Sequence, residues 1–241
     1  MSQFGLQNPS IHYSQHLDDL RRACQWFGVS NGRSLKYAKL IKEFFGKSER
    51  SREHILVYNE SFEITELYKL WKPYVAGFAR LKEKIRRCLE KGPLLREDER
   101  PNRSTNKWRN HLFEYLLAGK LINGSVPVVA VDGMVAEGEN YDGDSDVSFR
   151  WGKKIYDIQC KRPQNQNRLV DRIKEGRDQI KKYGRQGPSG FVAVDCSLFI
   201  TNLGYELKAN SEDALRQQLF QILEKEIKPV VVKYITHKSV N

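Results

Sequence analysis

The chain has no stretch approaching the roughly 18 uninterrupted apolar residues that a membrane span requires, and its start, MSQFGLQNPS, lacks the basic and apolar regions of a signal peptide. No membrane partner is expected, and a cytoplasmic location is. Cysteine is sparse. Cys24, Cys88, Cys160 and Cys196 are widely spaced with no CxxC pair, which speaks against a disulfide framework and predicts reduced, mostly buried thiols. The five histidines (His12, His16, His54, His111 and His237) show no metal-ligand spacing apart from the His12/His16 pair, which reads as incidental. No internal repeat or low-complexity tract is present.

What remains is the composition of a packed protein. The 241 residues are 39% hydrophobic and 29% charged, enough for one sizeable core or for one core plus a smaller helical appendage. The formal charge of +11 points to a polyanionic partner, because neutralising phosphates releases counterions. Its distribution is more telling. Arg150 to Arg185 holds 12 basic residues against four acidic ones, whereas Asp132 to Asp146 holds six carboxylates and no Lys or Arg. An acidic pocket beside a basic strip is what a phosphate-cleaving metal site requires.

The first part of the chain reads as helical. Leu35, Ala38, Ile41 and Phe45 fall at helical spacing behind a Ser34 cap. A second helix, capped by Ser61, carries the stripe Leu67, Trp71, Tyr74, Phe78, Leu81, Ile85 and Cys88, kinked near Pro73 and closed by Gly92-Pro93. The polar segment Leu95 to Arg103 marks a boundary between a helical region, residues 1–95, and a domain spanning 104–241. In that domain Thr105 to Leu121 predicts a helix and Val126 to Val131 a strand. Asp146 to Phe149 and Ile155 to Lys161 predict a hairpin around Trp151-Gly152-Lys153. A helix from Arg168 to Tyr183 follows, then a buried central strand from Phe191 to Ile200, a helix from Glu212 to Lys225 and a strand from Val230 to Ile235. The fold class is α/β.

Alternate side chains of a strand share a face, so Asp157, Gln159 and Lys161 point one way. The hairpin brings Asp146 to the same end as Lys161. Hydrolysis of a phosphodiester needs a hard cation held by oxygen ligands and a group that orients the attacking water. Asp146 and the Gln159 side-chain carbonyl supply ligands, Lys161 holds the water, and Glu114 on the preceding helix is an outer or second-metal ligand. Asp142 and Asp144 read as turn formers, with Asp144 an alternative to Asp146. Asp157 reads as an exposed solubilising residue, or else as a ligand that compensates for Gln159. Arg162, Arg168, Arg172 and Lys182 suit phosphate contacts, although a charged helix face is often only solvated.

The string YDIQCKRP, with Asp146 of GDSDVSF thirteen positions before Gln159, resembles motifs II and III of the PD-(D/E)xK nuclease superfamily. Gln in place of the acid is similar to the QxK variant of Mrr-type restriction endonucleases. Gln179 and Tyr183 are similar to the QxxxY helix motif of RecB-like nucleases. The resemblance covers about 100 residues and implies a restriction-endonuclease-like αβββαβ core with a mixed central sheet behind the helical region. It also implies Mg2+ or Mn2+ held by Asp146, Gln159, Glu114 and the backbone carbonyl of Cys160. Gln179 and Tyr183 would lie near the metal or the nucleic-acid backbone, DNA ahead of RNA. Ser145 stands where the motif has proline, and Gln159 where it has an acid; the latter leaves weak metal binding or a non-catalytic descendant open. Two other functions compete: a catalytically silent nuclease-fold module that binds nucleic acid or a protein, and a helical interaction protein whose N-terminal helices support a homodimer or dock a partner.

Overall fold

The computed structural model describes residues 9–44, 52–95, 98, 107–163, 165–183, 189–197 and 212–232. Four helices come first: α1 (Pro9–Phe27), α2 (Arg33–Phe44), α3 (Arg52–Trp71) and α4 (Leu81–Glu90). Gly28 ends α1 at φ 72°, its N–H on the Gln25 carbonyl and the Val29 N–H on that of Cys24. This left-handed closure suits glycine. The stripe expected to form one kinked helix is two helices, because Pro73 disfavours helical geometry in the residue before it and α3 stops at Trp71. Neither expected serine cap holds. Ser34 lies inside α2 and donates to the Leu89 carbonyl at 2.7 Å, and Ser61 lies mid-helix, donating to the Tyr58 carbonyl at 2.6 Å.

The remaining elements are α5 (Lys107–Asn123), β1 (Val128–Val131), β2 (Met134–Val135), β3 (Val147–Trp151), β4 (Lys154–Lys161), α6 (Gln166–Tyr183), β5 (Gly190–Val194) and α7 (Glu212–Ile222). The chain is thus α/β, with one five-stranded mixed sheet in the order β2-β1-β3-β4-β5. β1, β3 and β4 form an antiparallel meander, and β5 returns parallel to β4 after α6. The predicted hairpin forms with Gly152 at φ 60°, as a tight two-residue turn demands.

Two predicted strands are corrected. β5 is an edge strand ending at Val194 rather than a long central one; Phe191 is 54% exposed, leaning on neighbouring rings instead of lying under a helix. Val230 to Val232 continues the helical path beyond α7 and its π-helical turn, with no strand beside it among the described residues, and 233–235 lie outside them. β-branched residues take strand geometry only where a pleated neighbour receives them.

One hydrophobic core runs from Leu17 of α1 to Ile158 of β4, so the segment expected to separate two domains joins helices that share buried contacts. Trp71 donates its indole N–H to the Tyr115 carbonyl at 2.9 Å. Gly119 lets α5 approach α3 closely, since a Cβ there would lie 3.0 Å from Leu70. Buried Arg109 of α5 binds Glu60 of α3 at 2.7 Å, and Tyr37 of α2 donates to the same carboxylate. Among the described residues no helix is long and apolar enough to cross a membrane.

Candidate metal centre at the end of the sheet

The strand directions place the end of β1, the start of β3 and the ends of β4 and β5 together. Asp132, Asp146, Lys161 and Asp195 therefore gather at one edge, and α5 adds His111 and Glu114. Asp132 follows β1 at φ 47°, a conformation that Asp tolerates better than most residues. Its N–H donates to the Asp146 carbonyl at 2.8 Å, fixing β1 against β3. Donor atoms of His111, Glu114 and Asp132 all lie within 4.8 Å of one another, a set able to hold a metal ion.

Burial is the main influence on these acids. Glu114 is 7% exposed, and its carboxyl is pushed above its ordinary value by desolvation; the His111 hydrogen bond at 3.0 Å opposes this, and the Asp146 charge adds to it. Asp146 is also raised by burial, against the Cys160 N–H donated to it at 2.7 Å and the nearby Lys161 charge. His111 is raised, chiefly through its hydrogen bond to Glu114. Two desolvated carboxylates that resist ionisation form an environment a divalent cation relieves, and the oxygen-rich donor set fits Mg2+ or Mn2+.

Asp132 is anchored from the helical region. Lys84 of α4 donates to its carbonyl at 2.7 Å and its carboxylate at 2.9 Å, and the Tyr115 hydroxyl reaches the same carboxylate oxygen at 2.5 Å. Lys161 is set on the other face. Gly176 of α6 passes so near that an added Cβ would lie 2.9 Å from Val192 and 3.4 Å from the Lys161 side chain. Its ammonium lies 3.7 Å from Glu175.

Of the expected residues, the fold brings Asp146 near Glu114 on one side and near Lys161 on the other. Gln159 is buried, and its amide nitrogen reaches the Asp144 carbonyl at 3.4 Å, steadying the chain upstream of Asp146. Cys160 touches the centre through its N–H, and burial pushes its thiol up. The Asp144 side chain is exposed, as a turn former's is. Asp157 is not the expected surface residue: it is 4% exposed and accepts from Tyr141 at 2.7 Å and Ser148 at 2.8 Å.

The basic candidates divide. Arg162 does not fit the phosphate contact expected of it, because its side chain is 5% exposed and engaged by Asp195 at 2.9 Å and Asn110 at 3.3 Å. Arg168 and Arg172 are exposed on α6 beside Asp171 and Glu175, and Lys182 is exposed in the last turn. Gln179 is half-buried on the same helix; Tyr183 closes α6, and its side chain lies outside the described residues. His12 lies in α1 with its side chain outside the described ones, while His16 meets Ser61 at 2.6 Å in the core.

Sequence reasoning missed His111, Asp132 and Lys84. The first carried a usable signal, since His111 and Glu114 stand three apart on one helix face. The other two come from elements that only the fold brings to the site. In comparisons with protein-family models, curated proteins and solved structures, no match to this chain was found.

Proposed function

We propose that this chain is a metal-dependent nuclease of the PD-(D/E)xK type, with a restriction-endonuclease-like core, hydrolysing phosphodiester bonds in nucleic acid, DNA ahead of RNA. The observation that carries this reading is the cluster of His111, Glu114 and Asp132 donor atoms within 4.8 Å of one another, with Asp146 near enough to act on Glu114, at the strand end occupied by Lys161. The succession of α5, an antiparallel meander, α6 and a parallel strand supports the core assignment. A bound Mg2+ or Mn2+ supplies charge neutralisation at the phosphoryl oxygens and a more acidic water. His111, Glu114 and Asp132 would hold the ion with Asp146 beside them, and the His111 imidazole favours Mn2+ within that pair. Lys161 donates from its ammonium to the attacking water or a phosphoryl oxygen, with Glu175 limiting its swing. Gln159 positions the Asp144–Asp146 segment through the Asp144 carbonyl.

Incubation of the purified chain with linear duplex, circular duplex, single-stranded DNA and RNA, in Mg2+, Mn2+ or EDTA, tests the proposal. Cleavage that requires the metal supports it. A second reading, a silent module that only binds nucleic acid, is favoured by one arrangement: Lys84 and Tyr115 both occupy the same Asp132 oxygen. Salt-sensitive binding without cleavage under any metal would select that reading.

A further inference from the structure

We infer that the hairpin end of the sheet, opposite the carboxylates, is a stacking platform for unpaired bases of a single-stranded nucleic acid. The inference rests on the nucleic-acid substrate proposed above, but not on cleavage. Phe149 and Tyr156 are directly paired across β3 and β4, and their rings lie 5.6 Å apart at 20°. Phe191 of β5 leans over β4 to join them, at 6.1 Å and 26° from Phe149 and at 5.9 Å from Tyr156. Three strands thus contribute one group of rings, with Phe191 tilted 37° to Tyr156.

A ring cluster that served only packing would be covered. Here Phe191 is 54% exposed, and Trp151, two residues beyond Phe149 on the same face, is 66% exposed. The other end of this face, at Val147 and Ile158, is buried in the core shared with α5. Charge at the open end is positive. Lys154 stands opposite Trp151 on the same face, and Lys153 occupies the turn; both are exposed. Ile180 lies against Gly190 at the start of β5, so the last turn of α6 places the exposed Lys181 and Lys182 at the same end but on the opposite face of the sheet from the rings. Open aromatic rings flanked by lysines match the two chemistries of a single strand, base π-faces and phosphates, whereas a duplex keeps its bases stacked internally.

The test uses the full chain in EDTA, with a dT oligonucleotide of about 12 nucleotides, within the size an aromatic groove of this kind accommodates, and a duplex of equal length. Trp151 is the most exposed of the four tryptophans, so binding of the oligonucleotide should quench its fluorescence. Phe191→Ala and Phe191→Leu should each weaken oligonucleotide binding at least about fivefold, while Phe191→Trp preserves it. Duplex affinity should be the same in all variants. The inference is overturned if the Phe191 series and Trp151→Ala bind the oligonucleotide like wild type, if duplex binding falls equally, or if wild type binds neither. It is also overturned if Trp151→Ala turns a dimer into monomers, which would give the face to a second copy. Failure of the nuclease reading looks different: no metal-dependent cleavage by wild type, with the Phe191 signature intact.

Discussion

Glu114→Gln separates a carboxylate kept for a cation from one kept for the fold. Glu114 and Asp132 offer oxygens no more than 4.8 Å apart. Two unit charges at that distance repel by about 3.5 kcal/mol at an effective dielectric of about 20. Lys84, bonded to Asp132 at 2.9 Å, offsets part of this. Burial is the larger penalty on this charge, the His111 hydrogen bond opposes it and Asp146 adds to it, so removing the Glu114 charge while keeping an acceptor for His111 should stabilise the metal-free chain by about 1–2 kcal/mol, roughly 2–8 °C in Tm for this size. Wild type should gain about 2.7 kcal/mol from Mn2+ at about a hundredfold its Kd, and the variant should gain little. The order of stability thus reverses when the ion is added.

The pH dependence has a definite sign. Glu114 is raised in the folded chain, so from the ordinary carboxylate value of about 4.3 upward the native state binds more protons than the unfolded state. Metal-free stability then falls as pH rises through the folded value. His111 is raised too, so its contribution is full below about 6.5 and is lost as pH rises through its own folded value. Bound metal opposes this trend by competing with protons for the ligands. Thermal unfolding at several pH values, with EDTA or Mn2+, reads all three effects. A Glu114→Gln chain less stable than wild type in EDTA, or a wild-type Tm indifferent to Mn2+, would refute the reasoning.

Lys161→Ala should abolish cleavage with little change in Tm or nucleic-acid affinity, because its side chain packs against Gly176 rather than in the main core; retained turnover would remove it from the mechanism. Lys181→Gln with Lys182→Gln should flatten the salt dependence of duplex binding by roughly 0.9 log unit for each phosphate that is no longer neutralised. Arg168→Ala with Arg172→Ala should flatten it less, since Asp171 and Glu175 already neighbour those arginines; a larger effect from the arginine pair would relocate the phosphate track to mid-helix. His16 is held neutral by burial, with its pKa lowered to about 4, so the unfolded chain binds the proton first as pH falls. Stability should be full above about 6.5 and decline toward pH 4 by up to about 3 kcal/mol, and urea unfolding of His16→Gln should lose that slope.

The legible parts of the site were those whose geometry is local. Alternation across Tyr156 to Lys161 and a glycine at the turn determine the hairpin, so Asp146 and Lys161 could be placed at one end without knowledge of other elements. Glu114 was accessible for a similar reason, as a carboxylate on the amphipathic helix leading into the strands. Asp157 was misread because its partners are Ser148 across the hairpin and Tyr141 from the acidic loop; alternation gives a face, not whether a loop covers it. Lys84 was out of reach, since its contact with Asp132 spans 48 positions. The helical region that sequence left without a role thus reaches the centre through one lysine.

Charge along the chain was a weaker guide than charge in space. The excess counted from Arg150 to Arg185 includes Arg162, buried with Asp195, and Arg168, Arg172 and Arg177, each beside a carboxylate of α6. Of that excess, Lys153, Lys154, Lys181 and Lys182 are exposed toward the hairpin end, while Arg168, Arg172 and Lys174 are exposed along α6. The carboxylates occupy the other end of this hairpin: Asp146 lies five residues from Trp151, about 17 Å away at the rise of a strand. A polyanion would be attracted to the lysines at the hairpin end, away from the acidic cluster of Glu114, Asp132 and Asp146. On the proposed reading, separating the two signs along the strand axis would let one small sheet attract a phosphate backbone at one end and reserve the other for a metal.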